Sequence, residues 1–163
     1  APLILAQTLL KRAIERFEKE HQPAMLSEVG TLLSKMTGGR YVSIRRRLDE
    51  AGTMLVEQKN GKLKTPDQLS TGTREQLYLA IRLAYVQQYC RESEPLPLIM
   101  DDILVNFDEQ RAKNTLEVLL ALPDHIQVLF LTCHEHMAEL VRKSRPDLSS
   151  IELSMSHLGM SRE

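Results

Sequence analysis

The sequence has little cysteine, no excess of one charge and no long apolar run. Its two cysteines, Cys90 and Cys133, stand far apart without C-x-x-C spacing, which argues against a disulfide scaffold and fits a reducing compartment, by default the cytoplasm. Lys plus Arg number 21 against 22 Asp plus Glu, a formal net charge of −1. No global cationic field therefore draws the chain onto nucleic acid or anionic membrane, and any basic surface has to be local. No apolar stretch approaches the roughly 18 residues of a membrane span, and Ala1-Pro2-Leu3-Ile4-Leu5 lacks the cationic start and cleavage pattern of a signal peptide. No membrane partner is expected. An initiating Met is missing as well, and the chain opens inside a helical pattern, as a piece of a longer polypeptide would. What is present suffices for a core: 42% of the 163 residues are hydrophobic and 26% charged, which excludes wholesale disorder. The length is about that of one domain.

Leu3, Leu10 and Phe17 repeat every seven residues among charged neighbours, an amphipathic helix with a narrow seam. After Pro23 the seam restarts in a new phase as Leu26, Val29, Leu33 and Met36 and stops at Gly38-Gly39, a helix terminator. Such a seam is either one face of a globular core or the last turns of a coiled coil entering a head. From Arg40 the period becomes two: Tyr41, Ser43 and Arg45 alternate with Val42, Ile44 and Arg46, and Met54 to Glu57 follows. Asn60-Gly61 signals a hairpin returning through Lys62-Leu63-Lys64. A helix is expected over 73–90, with Leu77, Ala80, Ile81 and Ala84 buried, then a short buried strand over 98–100. A helix over 109–122, a strand over 127–131, a helix over 135–143 and a last strand over 151–155 complete the pattern. Alternating strands and helices predict an α/β fold with a partly parallel sheet.

Three clusters carry chemistry, each where a strand or loop meets a helix. In Leu69-Ser70-Thr71-Gly72-Thr73, Thr73 and Gln76 fit a capping box, and Gly72 permits close backbone approach. Free N–H groups, a hydroxyl and a glycine at a helix start suit an anion, although plain capping explains the same residues. In Leu98-Ile99-Met100-Asp101-Asp102, two carboxylates at the end of a buried strand need a cation or hydrogen bonds. Mg²⁺ near Asp101 with a polarised water near Asp102 satisfies that need, and so do two acids capping the next loop. Asp108, in Asn106-Phe107-Asp108, reads by itself as a helix N-cap. His134, at the end of the strand Leu131-Thr132-Cys133, can hydrogen-bond a phosphate or a reacting water. His134-Glu135-His136 lacks the companions of a zinc site. His21, His125 and His157 are expected at the surface.

Taken in order, Leu69 to Thr73 resembles the ABC-ATPase signature loop, Leu98 to Asp102 a Walker B strand, Asn106 to Asp108 a D-loop and His134 a switch histidine. The order and spacings resemble the SMC and RecN class. Residues 69–80 and 101–108, with Thr37-Gly38-Gly39-Arg40-Tyr41, are most similar to bacterial YhaN-like coiled-coil ATPases. The similarity runs from about Pro23 to Ile151. No G-x-x-x-x-G-K-[ST] occurs, so the phosphate cradle is absent. In SMC-like proteins it lies on an N-terminal lobe across a long coiled coil. The resemblance therefore implies the C-terminal half of a P-loop NTPase head, with residues 1–36 as the returning coil arm and 37–163 as the lobe.

The resemblance further implies that ATP and Mg²⁺ are bound between two dimerised heads, each completed by its own Walker A lobe. Ser70, Thr71 and Gly72 would contact the nucleotide of the opposite head. Asp101 would hold Mg²⁺ through water, Asp102 would orient the attacking water, His134 would reach the γ-phosphate, and Asp108 would meet the partner. Most ABC ATPases carry Glu where Asp102 stands, and Asp withdraws the carboxylate by about 1.5 Å. Such a misplacement costs on the order of 10²-fold in rate, so slow hydrolysis is expected. DNA is a second implied partner, through Arg45-Arg46-Arg47 and Lys59, Lys62 and Lys64, although a charge-protected sheet edge accounts for the same residues. DNA repair or chromosome maintenance, with a nuclease subunit as partner, is the setting the family suggests. The rival expectation is a non-catalytic docking module on the same fold.

Overall fold

A computed structural model describes residues 24–46 and 53–153. The Leu3-Leu10-Phe17 seam, the break at Pro23, Arg47, His21, His157 and the end of the expected last strand lie outside them.

Residues 24–36 form helix α1. It stops where expected, because Gly38 (φ 61°) and Gly39 (φ 78°) take left-handed conformations open to glycine. Gly39 N–H then donates to the Ser34 carbonyl at 2.7 Å and Gly38 N–H to that of Lys35 at 3.2 Å, a paired closure of the last turn. Val29, Leu33 and Met36 are buried in the same core as Leu77, Ala80 and Leu83, so this part of the seam faces a globular interior. A fully buried Leu such as Leu33 contributes roughly 1.5–3 kcal/mol.

Strands β1 (Tyr41–Arg46), β2 (Met54–Gln58) and β3 (Leu63–Lys64) make an antiparallel sheet in that order. The Asn60-Gly61 turn closes the hairpin as expected, with Gly61 at φ 79° and Lys62 N–H donating to Asn60 Oδ1 at 3.1 Å. Strict alternation fails in β1. A bulge between Tyr41 and Ser43 adds a residue, so Tyr41 and Ile44, three apart, are both buried.

Helix α2 (Thr71–Glu92) buries Leu77, Ala80, Leu83 and Ala84 in the main core. Strand β4 (Leu98–Asp101) pairs in parallel with β5 (Val128–Leu131), and α3 (Glu109–Leu120) is the crossover between them. Helix α4 (Glu135–Ser144) follows β5 directly. The α/β class and the mixture of parallel and antiparallel pairing hold, in two separate sheets among the described residues. Two expectations are corrected. Strand β4 is covered on one face only, with Met100 buried and Ile99 65% exposed. Residues 151–153 are exposed and form no strand.

Candidate functional site

The site grows from two joints. The first is the start of α2. Ser70, with extended backbone (φ −64°, ψ 155°), is its N-cap, and its side chain makes no capping hydrogen bond among the described residues. The Ser70 hydroxyl lies 2.8 Å from that of Thr73. The expected capping box is therefore wrong, and the helix starts two residues before Thr73. Gln76 is buried, and its Nε2 donates to the Met36 carbonyl at 2.9 Å, across the core from the position a capping side chain takes. Ser70 and Thr71 are exposed, and the free N–H groups of this turn leave it open to an anion.

Gly72 has a specific neighbour. A Cβ built there would sit 2.7 Å from Arg111 Nη1 and 3.8 Å from the Asn106 carbonyl oxygen. Arg111 is held in turn by Asp108, which caps α3 as expected: Asp108 Oδ1 accepts from the Arg111 N–H at 2.9 Å, and Oδ2 pairs with Arg111 Nε at 3.1 Å. Asn106 Nδ2 donates to Glu75 Oε1 at 3.2 Å. The first turns of α2 are thus joined to the loop before α3, with the guanidinium of α3 over the glycine. Sequence reading missed Arg111, whose position as the third residue of a helix pattern carries no signal of its own.

The second joint is the C-terminal end of the parallel pair. Asp101 and Leu131 are register partners, so the segments that follow, Asp102 and Thr132 to His134, leave the sheet side by side. Ligand sites of parallel α/β sheets lie at this end. Asp102 takes a left-handed backbone (φ 47°), rare outside glycine but accessible to Asp, while its N–H donates to the Leu131 carbonyl at 3.0 Å. That turn swings its carboxylate toward β5. Oδ1 accepts from Thr132 Oγ1 at 2.8 Å and the Cys133 N–H at 3.3 Å, and Oδ2 accepts from Cys133 Sγ at 3.2 Å. His134 Nε2 lies 4.0 Å from Oδ2. The Thr132 hydroxyl, then the Cys133 thiol, hold the Asp102 carboxyl below the usual aspartate range, so it is ionised at neutral pH. The same hydrogen bond, followed by burial, pushes the Cys133 thiol above its ordinary value.

The two aspartates do not behave as a desolvated pair. Asp101 is exposed and its carboxylate accepts no hydrogen bond among the described residues, whereas Asp102 is half-buried and satisfied by neutral donors without a cation. Sequence reading brought Asp101, Asp102 and His134 to one place but passed over Thr132 and Cys133, whose part follows only from the β4–β5 register. Asp102 also faces a cleft of about 190 Å³ lined by Glu75, Leu79, Arg82, Asn106 and Phe107, which joins it to the first turns of α2. A larger groove of about 500 Å³ lies between α1 and β1 and shares no residue with this site.

The basic patch is partly neutralised. Arg45 pairs with Glu57 at 2.7 Å, and Lys64 Nζ donates to the Gln68 carbonyl at 3.4 Å, while Lys59 and Lys62 are exposed. His125 is exposed as expected.

Parallel strands ending in an acid and a histidine, beside a glycine-containing helix start, are arranged as in the C-terminal part of SMC ATPase heads, and this chain shares their fold. In sequence the chain is 33% identical over 146 residues to the uncharacterized protein YhaN of Bacillus subtilis (strain 168), an alignment covering 89% of this chain and 15% of YhaN. The chain thus spans a small part of that relative's length. An SMC ATPase structure from work on ATP-driven dimerisation and DNA-stimulated activation superposes with a TM-score of 0.59 at 17% identity, over 77% of this chain and 76% of that one. The SMC head of Pyrococcus furiosus, with an extended coiled coil and bound to the C-terminal domain of ScpA, gives 0.57 at 16% identity, over 82% and 35%. No family model matches the chain. No helix among the described residues is long and apolar enough to cross a membrane.

Proposed function

We propose that this lobe contributes half of a composite ATP site, in which ATP is hydrolysed between two heads, each completed by a Walker A lobe that this chain lacks. The observation that carries the reading is the convergence of Asp102 with Thr132 to His134 at the ends of two parallel strands, beside the open N-terminus of α2. The related SMC structure described for ATP-driven dimerisation supports it.

Mg²⁺ fits the donor set, because Asp101 offers an exposed hard oxygen ligand engaged by no donor among the described residues. When bound, the ion neutralises charge on the phosphates. Asp101 would hold it through water. Asp102, kept ionised by Thr132 and Cys133, would orient the attacking water, and His134 would donate to a phosphate oxygen. Ser70, Thr71 and Gly72, with the free N–H groups of α2 and the guanidinium of Arg111 above them, would face the γ-phosphate on the opposite head. Asp108, its side chain 61% exposed, caps α3 and keeps a face for the partner. The short Asp102 side chain, drawn toward β5, keeps turnover slow.

The biological setting we infer is DNA repair or chromosome maintenance in the cytoplasm. DNA contact would run through the exposed hairpin lysines Lys59 and Lys62, while Arg45 is engaged by Glu57. A nuclease subunit is the further partner that this setting suggests. The deciding experiment is Asp102→Asn in the intact polypeptide: ATP-dependent dimerisation persists, followed by light scattering, while phosphate release stops. Loss of both together would show Asp102 to be structural and overturn the assignment.

A further inference from the structure

We propose that Asp102, Cys133 and His134 form a binding site for a thiophilic divalent cation of the zinc class, distinct from the Mg²⁺ position at Asp101. Three donors of different chemistry, a carboxylate oxygen, a thiol sulfur and an imidazole nitrogen, all lie within 4.8 Å of one another. Cys133 Sγ is 3.2 Å and His134 Nε2 is 4.0 Å from the same atom, Asp102 Oδ2. A tetrahedral ion with bonds of about 2.0–2.3 Å sets its ligand atoms roughly 3.3–3.8 Å apart, so side-chain rotations that shorten the longest separation by up to about 1 Å close the cluster on such an ion.

The surroundings favour ligation. Thr132 Oγ1 and the Cys133 N–H hold Oδ1 from behind, which orients the carboxylate and leaves Oδ2 to the ion. The thiol proton now directed at Oδ2 occupies the place the cation would take; on binding it leaves to solvent, and thiolate and carboxylate together balance a divalent charge. Cys133 is exposed and His134 half-exposed, so the site is open to entry, and the fourth position remains for water. Mg²⁺, which takes oxygen ligands in octahedral geometry, is a poor match for sulfur and nitrogen.

The second cysteine, Cys90, is buried on α2 and is an internal control. Occupancy would also remove Asp102 from the attacking water, so a zinc-class ion would inhibit hydrolysis. That consequence rests on the ATPase reading, whereas the binding does not.

The test is a Co²⁺ titration of the intact polypeptide without nucleotide, read by sulfur-to-cobalt charge-transfer absorption. One equivalent of Co²⁺ should give the band, Zn²⁺ should abolish it, and Mg²⁺ in hundredfold excess should not. The band should survive Cys90→Ala, vanish in Cys133→Ser and need at least tenfold more Co²⁺ in His134→Ala. In the unmodified protein Zn²⁺ should also protect Cys133, and not Cys90, from alkylation mapped by mass spectrometry. Absence of the band, its persistence in Cys133→Ser, or unprotected Cys133 would each overturn the site, whatever the ATPase measurements give.

Discussion

Asp102 is the residue on which sequence and structure differ most usefully. The sequence shows an acid after a hydrophobic strand, but neither its left-handed backbone nor its donors, because both depend on a strand pairing made 30 residues later. Charge at a strand end is local information; the side chains that satisfy it are not. The same limit hides Thr115, a buried residue on α3 whose hydroxyl has no hydrogen-bond partner among the described residues. An unmet hydroxyl in a core costs free energy, and Val has the same shape without it. Thr115→Val should therefore raise stability by about 1 kcal/mol in denaturant titrations, and a loss of that size would reveal an unseen partner. Glu57 supplies a pH-dependent case. The Ser43 hydroxyl at 2.6 Å, then Arg45, holds its carboxyl below the ordinary 4.5. A lowered folded-state value means that the stabilisation is present above the unfolded pKa and is lost as pH falls through the folded one. Ser43→Ala should move the Glu57 midpoint upward in an NMR titration and shrink the stability difference between pH 6 and acid.

At the scale of elements, much was legible because it is written in local chemistry. The seam Val29-Leu33-Met36, the Gly38-Gly39 stop, the Asn60-Gly61 turn and the Asp108 cap each follow from a few adjacent residues, and each is observed. The failures need distant information. The bulge at Tyr41 breaks a clean alternation, and Gln76 abandons a cap for the Met36 carbonyl on another helix. The junction of α2 with α3 is of this second kind, and it can be measured. Gly72 lies in the first turn of α2, where Ala has a helix-propensity advantage approaching 1 kcal/mol. In the native protein the new Cβ meets Arg111 and displaces it from Asp108. Gly72→Ala should thus change stability little by itself and stabilise by about 0.5–1 kcal/mol in an Arg111→Ala background. Additivity in that double-mutant cycle would mean that the two helix starts are not coupled through Arg111.

At the scale of the whole molecule, the parallel pair β4–β5 is the incomplete part. Parallel strands occur in sheets covered on both faces. Here Met100, Val128 and Phe130 pack on the core side, while Ile99, Leu129 and Leu131 are 65%, 43% and 45% exposed on the other. Among the described residues each strand pairs only with its neighbour, so each keeps an open edge. Apolar side chains opposite a core, next to unpaired backbone, form a face that further strands and a helix would cover. The composition could not show this, because Leu98-Ile99-Met100 has the same apolar character whether one face is covered or two. If the Walker A lobe supplies that cover, Ile99 lies in the joint between lobes and contributes nothing to the fold of this one. Ile99→Lys should then leave the thermal unfolding of the isolated chain unchanged and abolish its co-purification with a separately expressed Walker A lobe. Hydrogen exchange of β4 and β5 should slow on assembly of the unmodified pair and stay fast with the variant. Assembly that tolerates the lysine would place the joint on another face, and the open edge of β1 beside α1 is the one to test next.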